Sequence, residues 1–300
     1  MAKYLVTGGA GFIGSNIAEE LVRMGEETVV FDNLSTGHEK NLEHIIDDIV
    51  FIRGDIRNPG EVAKALSGVD YVLHQAALAS VPRSIEDPVL VNDVNVGGTL
   101  NVLEQARKAG VKRLVYAASS SAYGETEKLP KTEDIVPQPL SPYAVSKLVG
   151  EHYCSVYSKV YGLPTISVRY FNVFGPRQDP ASQYAAVIPI FISHLLRGES
   201  PTIYGDGGQS RDFTYVSNVV KANILASRCS EAAGQMVNVA CGEHYTLNEL
   251  FQQLCRLTGK NVKPFYADPR TGDVRHSHAD ISRAKDLFGY KVDVSFAEGL

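Results

Sequence analysis

The stretch Lys3-Tyr4-Leu5-Val6-Thr7-Gly8-Gly9-Ala10-Gly11-Phe12-Ile13-Gly14 decides the fold. Lys3–Thr7 reads as a short apolar strand, and a helix is predicted from about Phe12 to Met24. Gly8, Gly11 and Gly14 fit the spacing G-x-x-G-x-x-G at the junction. Glycine there lets the backbone come close to a pyrophosphate, and the helix N-terminus then faces its negative charge. Alone the pattern is a weak signal. It gains weight because a second strand, Thr28–Phe31, ends in Asp32, whose carboxylate can accept hydrogen bonds from an adenosine ribose. Asn33 follows, with no arginine nearby to meet a 2′-phosphate, so NAD is expected rather than NADP.

Outward from this unit, strand and helix keep alternating. Ile49–Arg53 reads as a strand ending in Gly54-Asp55-Ile56, Tyr71–His74 as one ending in Gln75-Ala76-Ala77, and Leu114–Ala118 as one ending at Ser119-Ser120-Ser121. Thr165–Tyr170 is another, running into Phe171-Asn172-Val173. Helices are predicted over 88–109 and 142–161. This predicts an α/β fold, a doubly wound parallel (Rossmann) sheet with ligands at the carboxyl ends of its strands. Past residue 172 strict alternation is lost. Ala185–Leu196 reads as an apolar helix, and Thr246-Leu247-Asn248-Glu249 as a capping box opening a helix to Leu257. The expected division is 1–172, mainly NAD-binding domain, and 173–300, mainly a smaller mixed α/β substrate lobe, with some interleaving.

Ser141-Pro142-Tyr143-Ala144-Val145-Ser146-Lys147 carries the candidate chemistry. Tyr143 and Lys147 stand at i and i+4 of a helix and share a face. A phenol, with an ordinary pKa of about 10, is a poor base at neutral pH, and an ammonium one turn away favours its phenolate. The helix over 142–161 is apolar on more than one side, which suits burial against the sheet on one side and a second subunit on the other. Asn95 reads either as a satisfied helix-surface amide or as a ligand contact. Arg211, Arg270 and Arg275 read either as surface charge or as partners for an anionic substrate.

Composition excludes several classes. A net charge of −5 with interspersed signs argues against a nucleic-acid or membrane-surface binder. No apolar run has the length of a membrane span, and no signal-peptide pattern opens the chain. Cys154, Cys229, Cys241 and Cys255 form no C-x-x-C pair and read as packed, reduced thiols within helices or strands, which suits a cytoplasmic protein. His276-Ser277-His278 lacks a nearby third ligand, so no metal site is expected.

Thr7 to Gly14, Ser119, Tyr143-x-x-x-Lys147 and Arg169-Tyr170-Phe171-Asn172 together resemble the extended short-chain dehydrogenases/reductases. Within them the chain resembles the UDP-hexose 4-epimerases from end to end. Ser80-Val81-Pro82-Arg83-Ser84, the run from Gln183 to Pro189 and Gly272-Asp273-Val274-Arg275-His276-Ser277 are most similar to UDP-N-acetylglucosamine 4-epimerases. The resemblance implies that Tyr143 is the base, that Lys147 lowers its pKa and holds the nicotinamide ribose, and that Ser119 hydrogen-bonds the sugar 4-hydroxyl, with Ser120 and Ser121 nearby. It implies NAD contacts from Gly8, Gly11, Phe12, Ile13, Gly14, Asp32, Asn33, Asp55, Ile56, Ala76, Ala77, Asn95, Tyr170 and Val173. Asn172, Arg211, Arg270, Asp273 and Ser277 are then expected to hold the UDP-sugar in a homodimeric enzyme. Ser277 is the expected size gate beside the sugar's 2-substituent. A 4,6-dehydratase, the competing reading, needs an Asp-Glu pair where this chain has Ser120-Ser121.

Overall fold

Six strands from the first part of the chain and one from its second part make a single parallel sheet. They are β1 (Lys3–Thr7), β2 (Glu27–Asp32), β3 (Ile49–Arg53), β4 (Tyr71–His74), β5 (Arg113–Ser119), β6 (Thr165–Tyr170) and β7 (Gln235–Val239), in the order β7-β6-β5-β4-β1-β2-β3. The structure is a computed structural model and describes residues 1–179, 186–269 and 274–300. β1, β5 and β6 are buried along nearly their whole length, as strands covered on both faces must be, and β1 and β5 are largely apolar. Register is parallel throughout, with Thr7 opposite His74 and Ser119 opposite Tyr170. Strand order reverses between β1 and β4, and a doubly wound sheet binds its ligands at the crevice this opens.

Helices cover both faces. On one face α1 (Phe12–Arg23) and α8 (Val216–Arg228) pack Ile17, Leu21, Val219 and Val220 on Val6, Val115 and Val168. On the other, α2 (Pro59–Ala65), α5 (Thr99–Lys108) and α6 (Pro142–Tyr161) bring Val62, Leu103 and Tyr157 onto Leu5, Val72 and Leu114. Between α2 and α5 run two short helices, α3 (Val81–Glu86) and α4 (Pro88–Asn92). The helix expected over 88–109 is not uniform. A π-helical segment, Asp93–Gly98, joins α4 to α5. It lies where Gly98 passes Ile56 so closely that a Cβ would come within 2.5 Å of Ile56 Cδ1. The extra residue per turn re-aims Asn95 inward, as π-bulges at functional sites do.

The lobe has its own core. α7 (Val187–Leu196) and α9 (Leu247–Thr258) pack Phe191, Leu195, Leu250 and Phe251 with Phe174, Phe213 and Phe296. The capping box expected at Thr246 and Glu249 is present. α8 and β7 leave this half and return to the sheet, β7 pairing β6 from Gln235↔Ile166 to Val239↔Tyr170. The sheet thus takes its edge strand from beyond residue 173. All four cysteines are free. Cys154 and Cys255 sit inside helices, whereas Cys229 ends α8 and Cys241 follows β7, so the expectation of helix or strand interiors fails for those two. Among the described residues no helix is long and apolar enough to cross a membrane, and no group of three side chains could hold a metal.

Candidate active site

The glycine turn fits a dinucleotide. Gly8 stands at φ +67° and donates its N–H to Phe31 O, drawing the turn over the end of β2. A Cβ on Gly14 would lie 2.2 Å from Gly8 O, so only glycine lets α1 start so close to the turn. No side chain caps α1 at Gly11, which leaves the first-turn amides of Phe12, Ile13 and Gly14 for an anion. Asp32 accepts from Ala10 N at 3.0 Å and Leu34 N at 2.8 Å, and burial pushes its carboxyl above the usual range. Each oxygen keeps a lone pair for a ribose hydroxyl. Asn33 donates to Asp55 Oδ2 at 2.9 Å, placing β2 and β3 ends together. Folding also brings Arg57 to this corner, contrary to the expectation of no nearby arginine. Its guanidinium is committed to Asp55, in a bidentate pair that holds the Asp55 carboxyl far below its ordinary value, and to Asp93.

At the end of β5 the chain turns through Ser120–Tyr123, a single 3₁₀ turn. Ser119 Oγ accepts from Ser121 N and from Ser121 Oγ, at 3.2 and 2.8 Å, which leaves its own proton to favour the ionised form of the Tyr143 phenol. Tyr143 opens α6, which starts where it does because Ser141 caps it on Ala144 N with Pro142 at its first position. Burial raises the Tyr143 phenol above its ordinary value, and the Ser119 bond is what pulls it back. The expected acidification by Lys147 is not what the geometry delivers. Lys147 Nζ donates to Ala117 O at 2.8 Å, over the Tyr116 ring, and burial pulls its ammonium down to about 8 while Glu151 pushes it up. His74 lies beneath, held between Thr7 Oγ1 at 2.6 Å and Thr99 Oγ1 at 3.0 Å. Burial and then Lys147 push its imidazole down to about 3.

Asn95 is not a surface amide. It is buried, accepts from Leu78 N and donates to Leu78 O and Ser146 Oγ, so it pins the turn after Ala76-Ala77 to α6 beside Lys147. Tyr170 likewise spends its hydroxyl inside, on Gln75 and Asn223.

A second group of candidate residues is assembled from distant segments. Asn172, at φ +33°, donates to Asp212 O at 3.1 Å and to Ser277 Oγ at 3.4 Å. Val173 and Phe174 pair with Thr214 and Tyr215. Asp212 is fully buried and accepts from Cys241 N, Gly242 N and Ala279 N; burial pushes its carboxyl up to about 7 against those three bonds. Ser277, 4% exposed, donates its N–H to Ser210 O. A cleft of about 520 Å³ opens here, lined by Arg211, Arg275, Gln209, Asp206 and Glu125 among others. Arg211 is braced on the carbonyls of Ser210 and Arg275, and Arg275 pairs with Asp206. Arg270 and Asp273 lie outside the described residues. The sequence reading missed Asp212's three-way staple and the buried pair Glu151–Arg169, though both sit inside motifs it quoted or beside them.

Comparison with known proteins agrees. Residues 4–240 match the NAD dependent epimerase/dehydratase family. A putative UDP-glucose 4-epimerase of Methanocaldococcus jannaschii is 41% identical over 99% of this chain and 95% of its own length. Among solved structures, a UDP-N-acetylglucosamine 4-epimerase from Methanobrevibacter ruminantium, in complex with UDP-N-acetylmuramic acid, superposes with a TM-score of 0.95 at 41% identity, covering 99% of this chain and 95% of that one. The UDP-glucose 4-epimerase of Thermus thermophilus in complex with NAD gives 0.90 at 41% identity, over 99% and 96%. The glycine cradle and the acid at the end of β2 fit the cofactor that this relative holds. The chain belongs to the NAD dependent epimerase/dehydratase family, and its cofactor is NAD.

Proposed function

We propose that this protein interconverts UDP-hexoses at C4, acting on UDP-glucose and UDP-galactose and also on their N-acetylated counterparts. The observation that carries the reading is the Ser119 side chain at the carboxyl end of β5, which favours ionisation of the Tyr143 phenol, beside the crevice where the sheet reverses. Tyr143 takes the proton of the sugar 4-hydroxyl and later returns it. Ser119, oriented by Ser121, holds the 4-oxygen, and Lys147, fixed on Ala117 O, holds the ribose next to it. NAD, when bound, supplies the hydride acceptor for C4 and the pyridinium charge that favours the Tyr143 phenolate. Because the hydride returns to the other face of the 4-keto sugar, the grip must be firm on the diphosphate and loose on the hexose. Arg211 and Arg275 in the cleft supply the first, together with Asn172 and the expected Arg270 and Asp273. Ser277 leaves volume beside the 2-substituent for an acetamido group. The place that a dehydratase would fill with an acid and a base holds Ser120 and Ser121 here, and Ser121 serves Ser119.

A homodimer follows from the same reading. Val145, Val156 and Val160 of α6 and Val89 of α4 stand exposed, Val160 at 67%, on helices that also support the site. Sedimentation at micromolar concentration should show a dimer; a monomer rules the assembly out. Incubation with UDP-glucose, UDP-galactose and the two N-acetylated sugars, without added NAD, tests the activity. Each should give its C4 epimer, and a product that has lost water would favour the dehydratase.

A further inference from the structure

One face of α6 carries a stripe that runs past the residues assigned so far. Tyr143, Lys147 and Glu151 recur at a spacing of four, so their side chains stand one turn apart. Glu151 accepts two hydrogen bonds from Arg169 of β6, at 2.8 and 2.7 Å, and both side chains are buried. Arg169 also lies over the Tyr123 ring, 4.4 Å from its centroid, with its Nη1 buried and unpaired. Tyr123 is in turn anchored on Asn238 of β7. A buried ion pair seldom recovers its desolvation cost, and apolar residues of similar volume often pack as well or better. Stability alone therefore gives no reason for this pair.

The need for it lies one turn back. Lys147 is sealed among groups from three elements: His74 on β4, Tyr116 on β5, and Glu151 and Cys154 on α6. His74 is neutral, and burial holds the Tyr116 phenol and the Cys154 thiol protonated at neutral pH. Among the described groups that act on Lys147, Glu151 is thus the anion. We propose that Glu151, clamped by Arg169, is a positioning residue for the reaction: it keeps the buried Lys147 an ammonium fixed between Ala117 and the cofactor ribose. The assignment of Lys147 to that task rests on the epimerase reading; the electrostatic link between Glu151 and Lys147 does not.

The test separates the two. Protein carrying [ε-¹³C]lysine is titrated by NMR, with Lys147→Arg identifying the Lys147 signal, and kcat is followed over the same pH range. In Glu151→Gln the Lys147 midpoint should fall by about one pH unit or more, as expected on losing a close opposite charge. The alkaline limb of kcat should move with it, while Glu151→Asp restores both. If Glu151→Gln fails to fold because Arg169 is left unpaired, the double variant Glu151→Gln/Arg169→Met carries no stranded charge and should still show the lowered midpoint. An unmoved Lys147 midpoint in the folded variant overturns the proposal, even if activity falls, because a merely structural pair would lower activity without moving it. A midpoint that moves in a protein with no epimerase activity leaves the link standing and overturns the functional reading instead.

Discussion

The two sides of the candidate site, a sheet wall and a lobe wall, are built by different means. The sheet wall places Gly8, Gly14, Asp32, Ser119, Tyr143 and Lys147 on strand ends and helix starts, each set by the buried sheet behind it. The lobe wall places Asn172, Arg211, Asp212 and Ser277 on short irregular segments joined by a few side-chain bonds across long stretches of chain. A rigid wall suits proton and hydride transfer, which tolerate little misplacement. A wall stapled at a few points suits a substrate whose hexose must turn over while its diphosphate stays. Damage to the first should therefore appear in kcat, and damage to the second in KM and in substrate choice.

The largest expected effect is on the sheet wall. Tyr143→Phe keeps the ring's packing and removes the proton acceptor, so kcat should fall by about 10²–10⁴. Bound NAD should stay, as released on denaturation, and turnover close to wild type would remove Tyr143 from the mechanism. On the lobe wall, Asp212→Asn leaves an amide NH₂ facing backbone donors that now share a carboxylate. Stranding such buried donors costs about 1–3 kcal/mol. The lower stability should come with a raised KM for UDP-sugar and a kcat little changed; a fall in kcat alone would erase the contrast between the walls.

Ser277→Tyr sharpens the contrast within the lobe wall. Overfilling a packed site costs about 1–3 kcal/mol, so epimerisation of the N-acetylated sugar should drop at least several-fold while UDP-glucose is largely spared. Equal losses on both sugars would end the size-gate reading. The smallest effect per unit concerns His74. Its imidazole sits near 3 in the folded protein against an ordinary 6.5, so the unfolded chain takes up a proton first as pH falls. The stability that neutral His74 contributes is present above about pH 6.5 and is lost toward pH 3 at about 1.4 kcal/mol per pH unit. Denaturant titrations at pH 7 and pH 5 should show this slope largely removed in His74→Gln, and an unchanged slope would contradict it.

The same contrast explains what the sequence revealed. β1, β3, β4, β6 and α6 lie where apolar runs, glycines and caps predict them, because each is specified by residues next to one another. The acid at the end of β2 and the serine at the end of β5 were legible for the same reason. β7 was not, since Gln235–Val239 follows a helix in a half whose pattern had already become irregular, and only pairing with β6 makes it part of the sheet. The direction of the Tyr143 shift was hidden too. Spacing puts Lys147 on the right face, but burial and the reach of Nζ to Ala117 decide what its charge does. Arg57 shows the converse. Absent from the neighbourhood of Asp32 in the sequence, it arrives through β3 and is neutralised by Asp55 on the way.

The central claim is that the hydrogen at C4 leaves and returns within one closed site, on a cofactor the protein keeps. UDP-glucose carrying deuterium at C4, incubated with purified protein and no added NAD, tests it most directly. UDP-galactose that retains the deuterium at C4, with none passing to water, is the expected product. Loss of the label to solvent, or turnover that needs NAD in stoichiometric amount, would contradict the account.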